Sequence, residues 1–117
     1  MFNEKNEILL FKHVCRAHAC SLPGGYMKAG EHPGEGIERE IFEESGLVVS
    51  ADELLKTRTD RESARLDICY VGAFIGGDFK PTHEVSELGF FTAKTLPLLR
   101  KNQLFLIHSA LKQKASA

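Results

Sequence analysis

A glycine-rich turn runs straight into a helix crowded with glutamates between Leu22 and Val49 (LPGGYMKAGEHPGEGIEREIFEESGLVV), and no other segment limits the fold as tightly. A helix over Glu35 to Ser45 follows from its boundary signals. Pro33 suits a first-turn position, Gly46 suits a stop, and Ile37 and Ile41 mark an apolar stripe. Gly34 and Gly36 weaken the start by about 1 kcal/mol each relative to alanine, and His32 is a poor N-cap. On this helix Glu40, Glu43 and Glu44 stand at i, i+3 and i+4 and project from one face. Like charges so placed repel by roughly a few tenths of a kcal/mol per pair, and Arg39 can reach Glu43 but cannot offset all three. Taken alone, such a face is either solvated surface or a site for a cation. Mg²⁺ and similar hard ions take oxygen ligands and keep waters and phosphates as co-ligands. Glu31 lies just ahead in the loop, and Gly24-Gly25, lacking a Cβ, can bring a backbone carbonyl to the same place.

The rest of the chain narrows the context. Its 117 residues predict a single domain over 1–117 with one modest core. A formal net charge of −1 gives no general attraction for nucleic acid or anionic membrane. No apolar run reaches the roughly 20 residues of a membrane span, and "MFNEKNEILLFKH" has no signal-peptide pattern. Cys15, Cys20 and Cys69 form no disulfide framework, so a reducing, cytoplasmic setting is expected. Strands are expected at Glu7–Val14, Arg65–Gly76 and Leu88–Ala93, with "GGDFKP" as a hairpin turn. A last helix, Asn102–Lys114, has Asn102 as its N-cap and lysines in its final turn. This order of elements predicts an α/β or α+β sandwich with helices on both faces of a mixed sheet.

The spacing across the whole acidic stretch is what lifts it above a charged surface. Gly25, five residues, Glu31, seven residues, then Arg39-Glu40-Ile41, Glu43-Glu44, Gly46 and Leu47 resembles the complete box of the Nudix hydrolases, G-x5-E-x7-R-E-U-x-E-E-x-G-U with U aliphatic. The flanking "LPGG" and "GLVV" are similar to that family too. So is "RLDICYVGAFIGGDFKPTHEVSELGFFTAKTLP", which extends the resemblance over most of Ile8 to Pro97. The resemblance implies a Nudix-type α/β/α sandwich with a mixed β-sheet. It also implies Mg²⁺- or Mn²⁺-dependent hydrolysis of a pyrophosphate bond in a nucleoside diphosphate linked to another moiety. By the same resemblance, Glu40, Glu43 and Glu44, helped by the Gly24 carbonyl, hold the metal. Arg39 orients Glu43 through a forked pair, Glu31 braces the loop or binds metal indirectly, and Gly25 and Gly46 shape the backbone. Family members differ in the general base, which here is Glu40, Glu43, Glu84 or Glu87, with Glu84 preferred.

Two departures qualify that picture. The strand that usually precedes "EILLFKH" has no counterpart, so the sheet is expected to lack its N-terminal edge strand and to be completed by a partner chain, giving a homodimer. Cys20 stands where many relatives carry a large aromatic residue. The segment "EVSELGFF" followed by "LP" looks more like relatives acting on nucleoside-diphosphate sugars or ADP-ribose than like those acting on oxidised dNTPs. The alternative function is a catalytically silent nucleotide sensor, and a purely structural domain is the third reading. His13, Cys15, His18 and Cys20 form an alternating cluster without zinc-finger spacing, for which packing or pocket lining is the simpler reading. Phe74, Phe90, Phe91 and Phe105 are expected in the core and Phe79 as a turn anchor, while Tyr26, beside Gly25, is assigned no contact with the diphosphate.

Overall fold

The structure, a computed structural model, describes residues 1–13, 20–60, 62 and 64–116. Its centre is β1 (Ile8–His13), whose apolar residues run consecutively and are therefore buried on both sides. Ile8 and Leu10 face a cluster with Phe2, Leu99 and Ile107, the last from α2 (Lys101–Ala115). Leu9 and Phe11 face the opposite way, into a cluster with Val85, Leu47, Val49 and Ile41 of α1 (Pro33–Ser45). One strand thus separates two helices, which is the expected sandwich. β1 pairs antiparallel with the short β2 (Cys20–Ser21) and with β5 (Val85–Phe91), where Leu9 faces Phe90 and Phe11 faces Leu88.

The other sheet is a long antiparallel ribbon of β3 (Leu47–Asp60) and β4 (Arg65–Gly77), with register from Leu47–Gly77 to Thr59–Leu66. β4 lies where β-branched and aromatic residues predict it. The second half of β3 departs from expectation, since "ADELLKTRTD" carries no strand signal of its own. Alanine, glutamate, leucine and lysine there favour helix. Pairing with β4 overrides that preference, and register shifts near Val48, Ala51 and Leu54 absorb the poor match.

Phe2 joins the two sheets. It bridges Ile8 in antiparallel and Ala73 in parallel fashion, its amide donating to Gly72 O at 2.9 Å and its carbonyl accepting from Phe74 N at 2.8 Å. No full strand precedes β1, as expected, but this residue stands in its place. Among the described residues, that bridge is the one parallel link of the otherwise antiparallel sheets.

α1 begins at Pro33, capped by His32 Nδ1 accepting from Gly34 N at 3.1 Å, and ends at Gly46 in the left-handed region (φ 79°). α2 begins one residue earlier than expected, with Arg100 rather than Asn102 at the cap position. "GGDFKP" is not a hairpin turn, because β4 and β5 belong to different sheets; it is a crossover anchored by Phe79 on the core. Phe105, expected inside, is half exposed beneath the Lys56 ammonium, 4.3 Å from its ring centroid. Val14, Cys15 and His18 lie outside the described residues. Cys20 packs with Leu22 on the α2 side, and Cys20 and Cys69 are free thiols. Among the described residues, no helix is long and apolar enough to cross a membrane.

Candidate active site

The box residues meet at the exposed side of α1 because the glycine turn folds back onto that helix. Gly25 packs so closely on Glu40 that a Cβ added there would lie 2.3 Å from Glu40 Oε2. Gly36 does the same for Glu31, whose Oε1 would be 2.9 Å from an added Cβ. Glycine at these two places is therefore what lets the carboxylates lie flat against the turn and the helix start.

Arg39 organises the acidic face. Its Nε and Nη2 donate to Glu31 Oε2 and Oε1 at 2.7 and 3.1 Å, a bidentate fork. Nη1 donates to Glu40 Oε1 at 3.0 Å and to Glu43 Oε2 at 2.9 Å, and Nη2 also holds the Tyr26 carbonyl at 3.0 Å. The fork expected for Glu43 is thus made with Glu31, because the loop carrying Glu31 presents both oxygens while Glu43 presents one. Glu31 also accepts from Lys28 N at 2.9 Å. The Arg39 guanidinium, then the Lys28 amide, hold the Glu31 carboxyl down at about 2, and Glu31 in turn raises the pKa of Arg39.

Glu44 lies beside both Glu84 and Glu40, whose like charges disfavour its ionised form. Burial, followed by Glu84 and Glu40, pushes the Glu44 carboxyl up to about 8. The two late-loop candidates are separated by the fold. Glu84 reaches the α1 carboxylates, whereas Glu87 stands opposite Lys12 on β5, 3.7 Å from its Nζ, on the face of the sheet that Leu10 shares with α2.

The loop bearing Glu84 is pinned to the end of α1. Lys80 N donates to Ser45 O at 2.8 Å, and Thr82 Oγ1 donates to Glu44 O at 3.0 Å. Thr82 Oγ1 also accepts from Glu84 N and Val85 N. On the other side, the Leu22 amide donates to Gln103 Oε1 of α2 at 2.7 Å, fixing the entry to the glycine turn. Thr82 and Gln103 went unread in the sequence, since neither belongs to a spaced motif and each partner is remote in the chain.

Among the described residues, no group of three His, Cys, Asp or Glu side chains is placed so as to hold a metal ion. The donor chemistry is nevertheless that of a hard divalent ion's ligands. It is all carboxylate oxygen, and burial, then Glu84 and Glu40, drive Glu44 towards its neutral form. Mg²⁺ asks for only one or two protein carboxylates beside water and phosphate. Tyr26 stands at the rim, 81% exposed.

The profile of the NUDIX domain matches residues 1–110. The chain is 32% identical over 105 residues to an ADP-ribose pyrophosphatase of Methanocaldococcus jannaschii, covering 85% of this chain and 62% of that protein. Among solved structures it resembles an ADP-ribose pyrophosphatase from Streptococcus suis (TM-score 0.75, 25% identity, 95% of this chain and 85% of that one). It also resembles a NUDIX hydrolase from Nitrosomonas europaea (TM-score 0.83, 20% identity, 96% and 66%) and a UDP-X diphosphatase (TM-score 0.78, 24% identity, 97% and 60%). It spans about three-fifths of the M. jannaschii protein and of the UDP-X diphosphatase chain. A complete box on a helix, a glycine turn folded over its carboxylates and a profile match along nearly the whole chain place this protein in the Nudix family.

Proposed function

We propose that this chain, as one catalytic domain over residues 1–117, is a divalent-metal-dependent pyrophosphohydrolase. Its substrate is a nucleoside diphosphate joined to another moiety, of the nucleotide-sugar or ADP-ribose type rather than an oxidised dNTP. The observation that carries the reading is the convergence of Glu40, Glu44 and Glu84 beside a turn that Arg39 and Glu31 hold in place. The substrate class is supported by relatives whose names specify ADP-ribose.

Glu40, Glu43 and Glu44, with the Gly24 carbonyl, would hold Mg²⁺ or Mn²⁺. Such an ion supplies neutralisation of the diphosphate and acidification of a water. Arg39 donates to Glu40 and Glu43 and fixes their direction, which suits ligands better than proton acceptors. Glu84, free of that guanidinium, takes the proton as water attacks phosphorus. The bridging P–O bond breaks, and a nucleoside monophosphate leaves with the phosphorylated second moiety. Gly46 sets the end of the helix, and Gly25 leaves room for Glu40. A cytoplasmic setting fits the free Cys20 and Cys69 thiols. A homodimer that pairs an exposed edge of the sheets completes the proposal.

The test is a nucleotide-release screen with Mg²⁺ across ADP-ribose, nucleotide sugars, CDP-alcohols, dinucleoside polyphosphates and oxidised dNTPs, with Glu43→Gln as control. Turnover of ADP-ribose or a nucleotide sugar, lowered at least about a hundredfold in the variant, is expected, since the change removes a metal-facing charge and a partner of Arg39. An unchanged rate would put the site elsewhere. Silence across the panel from folded protein would move the reading to a nucleotide sensor.

A further inference from the structure

His13 ends β1 and is buried, yet no step proposed above uses it. Its Nδ1 lies 3.1 Å from the Glu84 carbonyl oxygen, and its Nε2 meets Ser21 Oγ in a short hydrogen bond. A carbonyl can only accept, so Nδ1 carries the ring proton and donates to Glu84. In the neutral ring Nε2 then accepts from the Ser21 hydroxyl. Ser21 leads directly into Leu22-Pro23-Gly24-Gly25, the turn that packs on Glu40. A single imidazole therefore ties the backbone of the Glu84 loop to the start of the glycine turn. The sheet is bent to allow it: Lys12 faces Glu87, but the next residue, His13, faces Val85, so β5 bulges by one residue at this point. Bulges of this kind commonly re-aim a side chain beside a site.

We propose that His13 is a positioning residue for hydrolysis, fixing the separation between Glu84 and the Gly24–Gly25 turn without touching substrate or metal. This rests on the hydrolase reading of the site. The strut works because β1 is the most deeply buried strand, so both loops are referenced to the core of the fold.

Four variants test it: His13→Leu, His13→Asn, His13→Gln and Glu84→Gln, with kcat, KM and amide hydrogen exchange at Glu84 and Val85. Asparagine can place a donor where Nδ1 stands, glutamine reaches instead towards Ser21, and leucine offers neither. His13→Leu is expected to lower kcat about 10- to 100-fold with a smaller change in KM, the range seen when groups supporting a catalytic site are removed. His13→Asn should recover most of that loss and His13→Gln less. In the Glu84→Gln background, His13→Leu should add little, because both changes act through one group. Faster exchange at Glu84 and Val85 in His13→Leu, restored in His13→Asn, is expected with or without substrate. Full kcat in folded His13→Leu, a loss that multiplies with Glu84→Gln, or Gln equal to Asn would overturn the proposal. Should leucine prevent folding, the Asn–Gln comparison decides alone. Absence of turnover in the wild-type protein would refute the hydrolase reading, while unaltered exchange in His13→Leu would refute the strut itself.

Discussion

Replacing Gly25 by alanine separates activity from stability more cleanly than removing a carboxylate. Gly25 is outside the left-handed region, so its backbone accepts alanine without strain. The new methyl would fall 2.3 Å from Glu40 Oε2, 2.4 Å from Cδ and 2.6 Å from Cγ, where ordinary contact begins near 3.4 Å. Only the end of a flexible side chain obstructs it, so Glu40 must swing aside by about 1 Å and leave its preferred rotamer, costing about 1 kcal/mol. A displacement of that size in a catalytic constellation is worth about a hundredfold in rate, or roughly 2.7 kcal/mol of barrier. The barrier effect should therefore exceed the stability effect by about twofold or more. Steady-state hydrolysis of ADP-ribose with saturating Mg²⁺, beside thermal unfolding of the metal-free proteins, measures both. Gly25→Ala with wild-type kcat would refute the placement of Glu40 at the reacting centre. A variant that unfolds would refute the claim that only a side-chain end is in the way.

Three further outcomes follow from contacts already described. Glu84→Gln should cut kcat by at least about tenfold, as expected for a lost general base, while Glu87→Gln, which breaks only an exposed pair with Lys12, should leave it within twofold in the same assay. Glu31 is held near 2 in the folded protein against an ordinary value of 4.5, so its contribution is complete above about pH 5 and disappears as pH falls from there towards 2. Acid unfolding followed by circular dichroism should show Glu31→Gln less stable at neutral pH and converging with wild type near pH 2. Gly46→Ala forces a φ of 79° on alanine and drives its Cβ to 2.4 Å from the Asp78 carbonyl, so it should destabilise the fold by at least about 1 kcal/mol, seen as a lower Tm.

The parts of this molecule that were legible in sequence are those whose partners are close in sequence. Pro33, Gly46 and the stripe of Ile37 and Ile41 delimit α1 because capping and helical periodicity act over a few residues. Arg39 and Glu43 were matched for the same reason, one turn apart. Local reasoning also misassigned: it gave the Arg39 fork to Glu43, since the loop geometry that offers Glu31 edge-on is not a property of any spacing. The second half of β3 was missed because its own residues prefer helix and only β4 makes it a strand. Choosing between Glu84 and Glu87 needed the fold, which leaves Glu84 in the loop before β5 near the α1 carboxylates and sets Glu87 on β5 opposite Lys12. His13 meets Glu84 across 71 residues and Gln103 meets Leu22 across 81, distances at which no pattern carries information.

α1 places Glu43 and Glu44 in its last turn and has no basic residue there. The macrodipole makes that end negative, so each carboxylate sits against a field that disfavours it by roughly 0.3–1 kcal/mol. Helices ordinarily finish with lysine or arginine for this reason, and α2 does, with Lys112 and Lys114. In α1 Arg39, one turn back, answers Glu43 alone, and the divalent ion proposed above would answer the rest. Any divalent ion that settles among these glutamates favours the folded state over the unfolded one, by about 2.7 kcal/mol at a hundred times its dissociation constant. Under the proposed function, folding and loading would then become one coupled equilibrium centred on α1.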